Sequence, residues 1–191
     1  VVSPHSGERV ALERLEPNRA AKSLGIMIAM DGNHKAEVQY LRDKAETFAG
    51  HIRDSKLSKN DAWHAITSVF LKTLEYPMLA ISLTEKEWQH ITAPVIIHAL
   101  PKAGFSRSFP QALLYAPRKY QGGGIHRPYL KNYILQLESL IHQQHTSSLT
   151  GELETIAYDN LRLEIGLPGI LTEAPYTLLR KATTRTALQD L

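Results

Sequence analysis

The sequence predicts a mainly α-helical protein with a small β-hairpin at its N-terminal end. Three observations carry that expectation. Between residues 34 and 100, apolar side chains recur in steps of three and four, the period of an amphipathic helix. Ser58 and Thr84 stand at helix-starting positions, and Thr84 with Glu87 forms a T-x-x-E capping box. Strict alternation of apolar and polar residues is confined to the first thirty positions.

In chain order, Arg9 to Leu15 reads as one strand and Leu24 to Met30 as a second, with Glu16-Pro17-Asn18 as the turn between them. Asp31-Gly32-Asn33 stops the second strand. A first helix is predicted from His34 to about Ser55, with Val38, Leu41, Ala45, Phe48 and Ile52 as its apolar stripe. A second starts at Ser58, carries Ala62, Ile66, Val69, Phe70 and Leu74, and ends or kinks at Tyr76-Pro77. A third starts at Thr84 and buries Trp88, Ile91, Val95 and Ala99, with a kink at Pro94. These three form a small bundle. Proline and glycine then punctuate residues 100 to 128, leaving room for a short helix near Gln111 to Tyr115. Helical order returns with Leu130, Ile134, Leu137 and Ile141. It returns again with Leu153, Ile156, Leu161 and Ile165, closed by Gly166, and a last helix is expected from Tyr176. The expected domains are a hairpin at residues 1–33, a helical bundle at 34–100, and a basic connector with C-terminal helices at 101–191.

The 191 residues include no cysteine, which rules out disulfides and thiolate metal sites. No run of 18 apolar residues exists, so a membrane span is not expected. No secretory leader opens the chain, and Val1 stands where Met would be expected. A segment of something longer is therefore expected, intracellular (nuclear or cytoplasmic) and not secreted.

The net charge is only +3, but its distribution is uneven. Between Glu87 and Glu138 no acidic residue occurs, while Lys102, Arg107, Arg118, Lys119, Arg127 and Lys131 do. Such a stretch suits phosphates; the alternative is a solvated face whose counter-charges come from other segments. Gly122-Gly123-Gly124 lacks the frame of a nucleotide-binding loop. Within Tyr115 to Pro128 it sets glycines beside cations and aromatics, where backbone amides can approach a phosphate. An exposed tight turn is the other reading. His142 and His145 have a ligand-like spacing without a third partner, so no metal site is expected. The aspartates Asp31, Asp43, Asp54, Asp61, Asp159 and Asp190 are unpaired, and two-metal phosphoryl transfer needs carboxylates that share ions. No catalytic residue is proposed.

The order of these features resembles a known family. Lys22-Ser-Leu-Gly-Ile-Met-Ile-Ala-Met-Asp-Gly-Asn is similar to the "K-x-L-G-v" strand that follows the palm of reverse transcriptases of the non-LTR retrotransposon type. Ser58-Lys-Asn-Asp-Ala-Trp-His-Ala and Leu74-Glu-Tyr-Pro look like that family's thumb. Lys119-Tyr-Gln-Gly-Gly-Gly-Ile-His resembles the "GG-l-G-l" phrase beyond it, although the leucine between glycines is missing. The likeness spans residues 9 to 165 and is nearest to algal and other protist retroelement proteins. It implies a primer grip at Leu24, Gly25, Ile26 and Met27. It also implies a chain that holds RNA or RNA/DNA duplex and works with an upstream palm and fingers. The family's "Y-x-D-D" carboxylates are absent, so Mg2+ is expected only in the palm and no cofactor in this chain. Phosphate contacts are assigned to Arg53, Lys56, Lys59, Arg107, Arg118, Lys119 and Arg127, with Tyr120, Gly122 and Gly123 beside them. The rival reading is a helical protein-binding module anchored on Trp63 and Trp88.

Overall fold

The computed structural model describes residues 16–144 and 146–166. It is mainly helical, with one two-stranded antiparallel hairpin ahead of the helices. The strands are β1 (Ala21–Ser23) and β2 (Ile26–Ile28), with Ala21 opposite Ile28 and Ser23 opposite Ile26. The hairpin therefore turns at Leu24-Gly25, inside the stretch expected to be one continuous strand. Both turn residues have positive φ, +48° at Leu24 and +93° at Gly25, the conformation that lets a two-residue loop follow strand twist. Glycine adopts it freely, and this local turn overrides the alternation. Accordingly Ile26 is buried while Ile28 and Met30 are exposed. The expected strand at Arg9 to Leu15 lies outside the described residues.

Helix α1 (Lys35–Asp54) follows. Asp31 and Asn33 prepare its start, each accepting from a backbone amide two residues on, at 3.0 Å and 2.9 Å. Its buried line runs through Leu41, Ala45, Ala49 and Ile52, with small residues where the third helical segment approaches. Phe48 lies half-buried and stacks on Phe70 at 5.2 Å.

The second segment is helical without interruption: α2 (Lys59–His64), a π turn (Ala65–Phe70) and α3 (Leu71–Met78). Ser58 caps it, accepting from the Asp61 amide at 3.2 Å and donating to the Asp61 carboxylate at 2.7 Å. The segment passes Pro77 by one residue, so the expected stop is displaced only slightly. Val69, expected in the stripe, is exposed. The third segment is α4 (Glu85–Pro94), a π turn (Val95–Ala99) and a 3-10 turn (Leu100–Ala103). Thr84 and Glu87 form the expected capping box. The backbone stays helical through Pro94, the wider π turn following it in place of a helix end.

One hydrophobic core joins these segments and extends beyond them. It runs from Ile26 through Trp88 and Leu100 to Leu114 and Ile125, with Phe105 and Phe109 packed against it. Leu114 belongs to α5 (Gln111–Tyr115), the expected short helix. Two further helices, α6 (Pro128–Gln144) and α7 (Leu149–Ile165), pack on one another, and α6 lies against α3. Gly166, at φ +74°, caps α7 as expected.

Asn132 fixes α6 to the core. Fully buried, it donates through Nδ2 to the carbonyls of Met78 at 2.6 Å and Ile81 at 3.0 Å. Its Oδ1 accepts from the Trp88 indole at 3.1 Å and from the Leu83 amide at 3.5 Å. The apolar stripe that marked α6 in the sequence does not face the core: Leu130, Ile134, Leu137 and Ile141 are all exposed. Polar Asn132 and Gln136 take the inner face instead, because α3 ends there with carbonyls needing donors. On α7, Leu161 is buried but Leu153 and Ile156 are exposed.

Candidate nucleic-acid interface

The residues expected to meet nucleic acid fall into three places. Arg53, Lys56 and Lys59 flank the turn from α1 to α2, and all three are exposed. Arg53 is occupied by its neighbour, with bonds of 2.8 Å and 3.0 Å to the Asp54 carboxylate. The stem of Lys59 lies beside Gly104, which brings the turn before exposed Arg107 close to α2.

The second place is the connector. Arg118, Lys119 and Tyr120 form one exposed 3-10 turn (Arg118–Tyr120), with Lys119 Nζ 4.8 Å from the Tyr120 ring centre. Arg127 stacks over Tyr115 at 5.4 Å and lies 3.9 Å from Glu85. The acid-free stretch thus takes at least one counter-charge from another segment. Burial pushes the Tyr115 phenol above its ordinary pKa, with Arg127 opposing and Glu85 adding to it.

The glycines do not present amides to a ligand. Gly122 donates to the Pro117 carbonyl at 3.3 Å, Gly123 to Leu113 at 2.9 Å and Gly124 to Ala116 at 2.9 Å. Of the two readings, the amide cradle is therefore corrected in favour of the turn: these donors satisfy carbonyls at the end of α5 and just beyond it. A Cβ at Gly122 would stand 2.1 Å from the Ala116 oxygen, and one at Gly123 2.5 Å from the Leu114 oxygen. The glycine run lets two backbone segments touch.

The third place is the hairpin. Leu24 projects at the turn, and its carbonyl accepts from the Tyr76 hydroxyl at 3.0 Å, tying the tip to α3. Met27 donates its amide to Glu37 Oε2 at 2.6 Å, tying β2 to α1. Glu37 is fully buried and its Oε1 has no partner. Burial raises its pKa above the ordinary glutamate value, outweighing the Met27 bond and the attraction of Lys44 and Lys22.

Beside this hairpin is a group that the sequence reading did not single out. Lys22 Nζ donates to the Tyr40 hydroxyl at 3.1 Å, and Lys44 Nζ lies 4.3 Å from the Tyr40 ring centre. The hydrogen bond from Lys22, and then that from Lys44, lowers the Tyr40 pKa. Among the described residues, neither lysine has a carboxylate within ion-pair distance. An open groove of about 400 Å³ adjoins them, lined by Tyr40, Asp43, Lys44, Thr47, His51 and Thr73 among others. The signal was available in part, since Tyr40 and Lys44 are four apart on one helix face. Lys22 reaches them only because the chain turns at Leu24-Gly25.

Among the described residues no three His, Asp or Glu side chains converge as a metal site. Asp31 binds the Asn33 amide, Asp43 the Gln39 amide group, and Asp61 the Ser58 hydroxyl. These carboxylates do not fit a two-ion centre. His145 and Asp190 lie outside the described residues. Among the described residues no helix is long and apolar enough to cross a membrane. The rival's anchors are spoken for, since Trp88 is buried and Trp63 packs on Phe105 at 5.0 Å. Compared with known proteins, the chain matches no family model, no curated protein and no solved structure.

Proposed function

We propose that this chain holds a primer–template duplex, RNA or RNA/DNA, by its phosphate backbone, as the hairpin-and-thumb region of a retroelement-type reverse transcriptase does. The observation that supports this best is the Lys22–Tyr40–Lys44 group. Two ammonium groups converge on one phenol with no carboxylate within ion-pair distance among the described residues. Glu37 attracts them only from the interior, and Asp43 lines the adjoining groove together with hydroxyl donors. A phosphate diester supplies the direct ion-pair partner that both lysines lack and accepts from all three side chains. Lys22 is also the first residue of the motif that carries the family resemblance. Leu24, Gly25, Ile26 and Met27 sit next to this group and set the primer end. Arg118, Lys119 and Tyr120 offer a second exposed contact, with Lys56, Lys59 and Arg107 extending the track. Such contacts position a duplex and carry little sequence information. The palm and fingers of the parent enzyme supply the Mg2+-dependent chemistry in this reading.

The test is binding of the 191-residue chain to labelled RNA/DNA duplexes over a salt series. With four cations on phosphates, log K against log salt has a slope of about −3 to −4. Lys22→Ala/Lys44→Ala makes that slope shallower by about 1 to 2 units, and equally on every sequence. A double variant that melts normally and keeps the wild-type slope overturns the assignment.

A further inference from the structure

The outer face of α6 carries a heptad seam. Leu130, Ile134, Leu137 and Ile141 recur in steps of four, three and four, and their exposures are 51%, 47%, 39% and 50%. Four half-exposed aliphatic side chains on one line are not the ordinary scatter of surface apolar residues. Steps of 3.5 residues on average are the spacing by which one helix accepts another. The inner faces of α6 are already used, by α3 through Asn132 and Gln136 and by α7. The seam stays half-exposed with both contacts made.

We infer that α6 pairs antiparallel with α6 of a second copy of this chain. The charges beside the seam select that occupant. In an antiparallel pair about a twofold axis, Leu130 meets Ile141 of the other copy and Ile134 meets Leu137. Each layer then joins one leucine to one isoleucine, and the surface is complementary to itself. The same flank of the two seams comes together, placing Lys131 beside Glu138 of the other copy, twice by symmetry. Among the described residues, neither Lys131 nor Glu138 has an ion-pair partner within its own chain. A parallel pair would separate these charges instead.

The seam alone is short, so the contact falls at the small end of specific interfaces, below about 1,200 Å² in total. The dimer is expected to be reversible.

Sedimentation equilibrium of the full chain measures this. The expected result is a monomer–dimer equilibrium. Lys131→Glu or Glu138→Lys alone turns both cross-copy pairs repulsive and weakens it roughly tenfold. The combined Lys131→Glu/Glu138→Lys variant restores it. Circular dichroism melting checks that each variant is folded, which these surface changes permit. A chain that stays monomeric at the highest attainable concentration overturns the inference, because another occupant then covers the seam. A dimer indifferent to the single reversals, or one that the double reversal does not restore, overturns it as well.

Discussion

Asn132 offers the sharpest test of the packing that positions these surfaces. Its side chain serves the Met78 and Ile81 carbonyls, the Trp88 indole and the Leu83 amide, all in the interior. With Asn132→Ala, the Ile81 carbonyl still receives Gln136 Nε2 at 2.8 Å, so two strong contacts are orphaned: the Met78 carbonyl and the Trp88 N–H. At about 1–3 kcal/mol for each buried group left without a partner, and about 1 for the void, the loss is roughly 3–7 kcal/mol. That is a large part of the roughly 5–15 kcal/mol that holds a domain folded. Asn132→Asp separates hydrogen bonding from volume. One carboxyl oxygen still accepts from Trp88, but the other faces two carbonyl oxygens and can be tolerated only when protonated. The folded-state pKa of this aspartate therefore rises above its unfolded value of about 3.9. A raised pKa contributes stability that is fully present below the unfolded value and is lost as pH climbs through the folded one. Urea denaturation near pH 4 and at pH 7 should show Asn132→Asp closest to wild type in acid and far less stable at neutrality. A constant deficit at both pH values would refute the assigned geometry, as would an alanine variant costing less than about 1 kcal/mol.

Two further perturbations probe the hairpin and the connector. Glu37 has a folded pKa raised above 4.5 by burial, so its contribution is present below that value and fades as pH rises through the folded pKa. Glu37→Gln removes the ionisation, and its stability relative to wild type should improve from pH 4 to pH 7. A pH-independent difference in urea midpoints would contradict this. Gly123→Ala places a methyl 2.5 Å from the Leu114 oxygen and should cost roughly 2–4 kcal/mol, read from thermal melting. Phosphate binding by the Gly123 amide would instead require that variant to fold normally and lose affinity.

The helical bundle was legible because its signals are local and mutually consistent. Ser58 and Thr84 cap where their side chains reach the amide three residues on, and the same residues precede apolar lines that face one core. The turn expected at Glu16-Pro17-Asn18 is present, Arg19 donating its amide to the Glu16 carbonyl at 2.9 Å. The strand expected over Leu24 to Met30 is too long, because its alternation competes with a two-residue turn that only Gly25 betrays. The glycine run shows a different limit. Three glycines announce close approach to something, but the sequence does not say whether that is a ligand or, as here, the end of α5. The α6 stripe has the same ambiguity, since periodicity identifies an apolar face without naming what lies against it. Asn132 decides the matter at that helix. An amide on the opposite face satisfies three core groups at 2.6–3.1 Å, so turning the aliphatic line inward would leave all three unpaired. At about 1–3 kcal/mol each, those losses match or exceed what burying a half-exposed leucine or isoleucine line returns, at roughly 1 kcal/mol per residue. The polar face wins the interior, and the apolar line is left at the surface. The Lys22–Tyr40–Lys44 group follows the same logic on the charged side. Its members converge only after the chain has turned at Leu24-Gly25 and β2 has docked on Glu37, so a reading of neighbours in sequence passes over it.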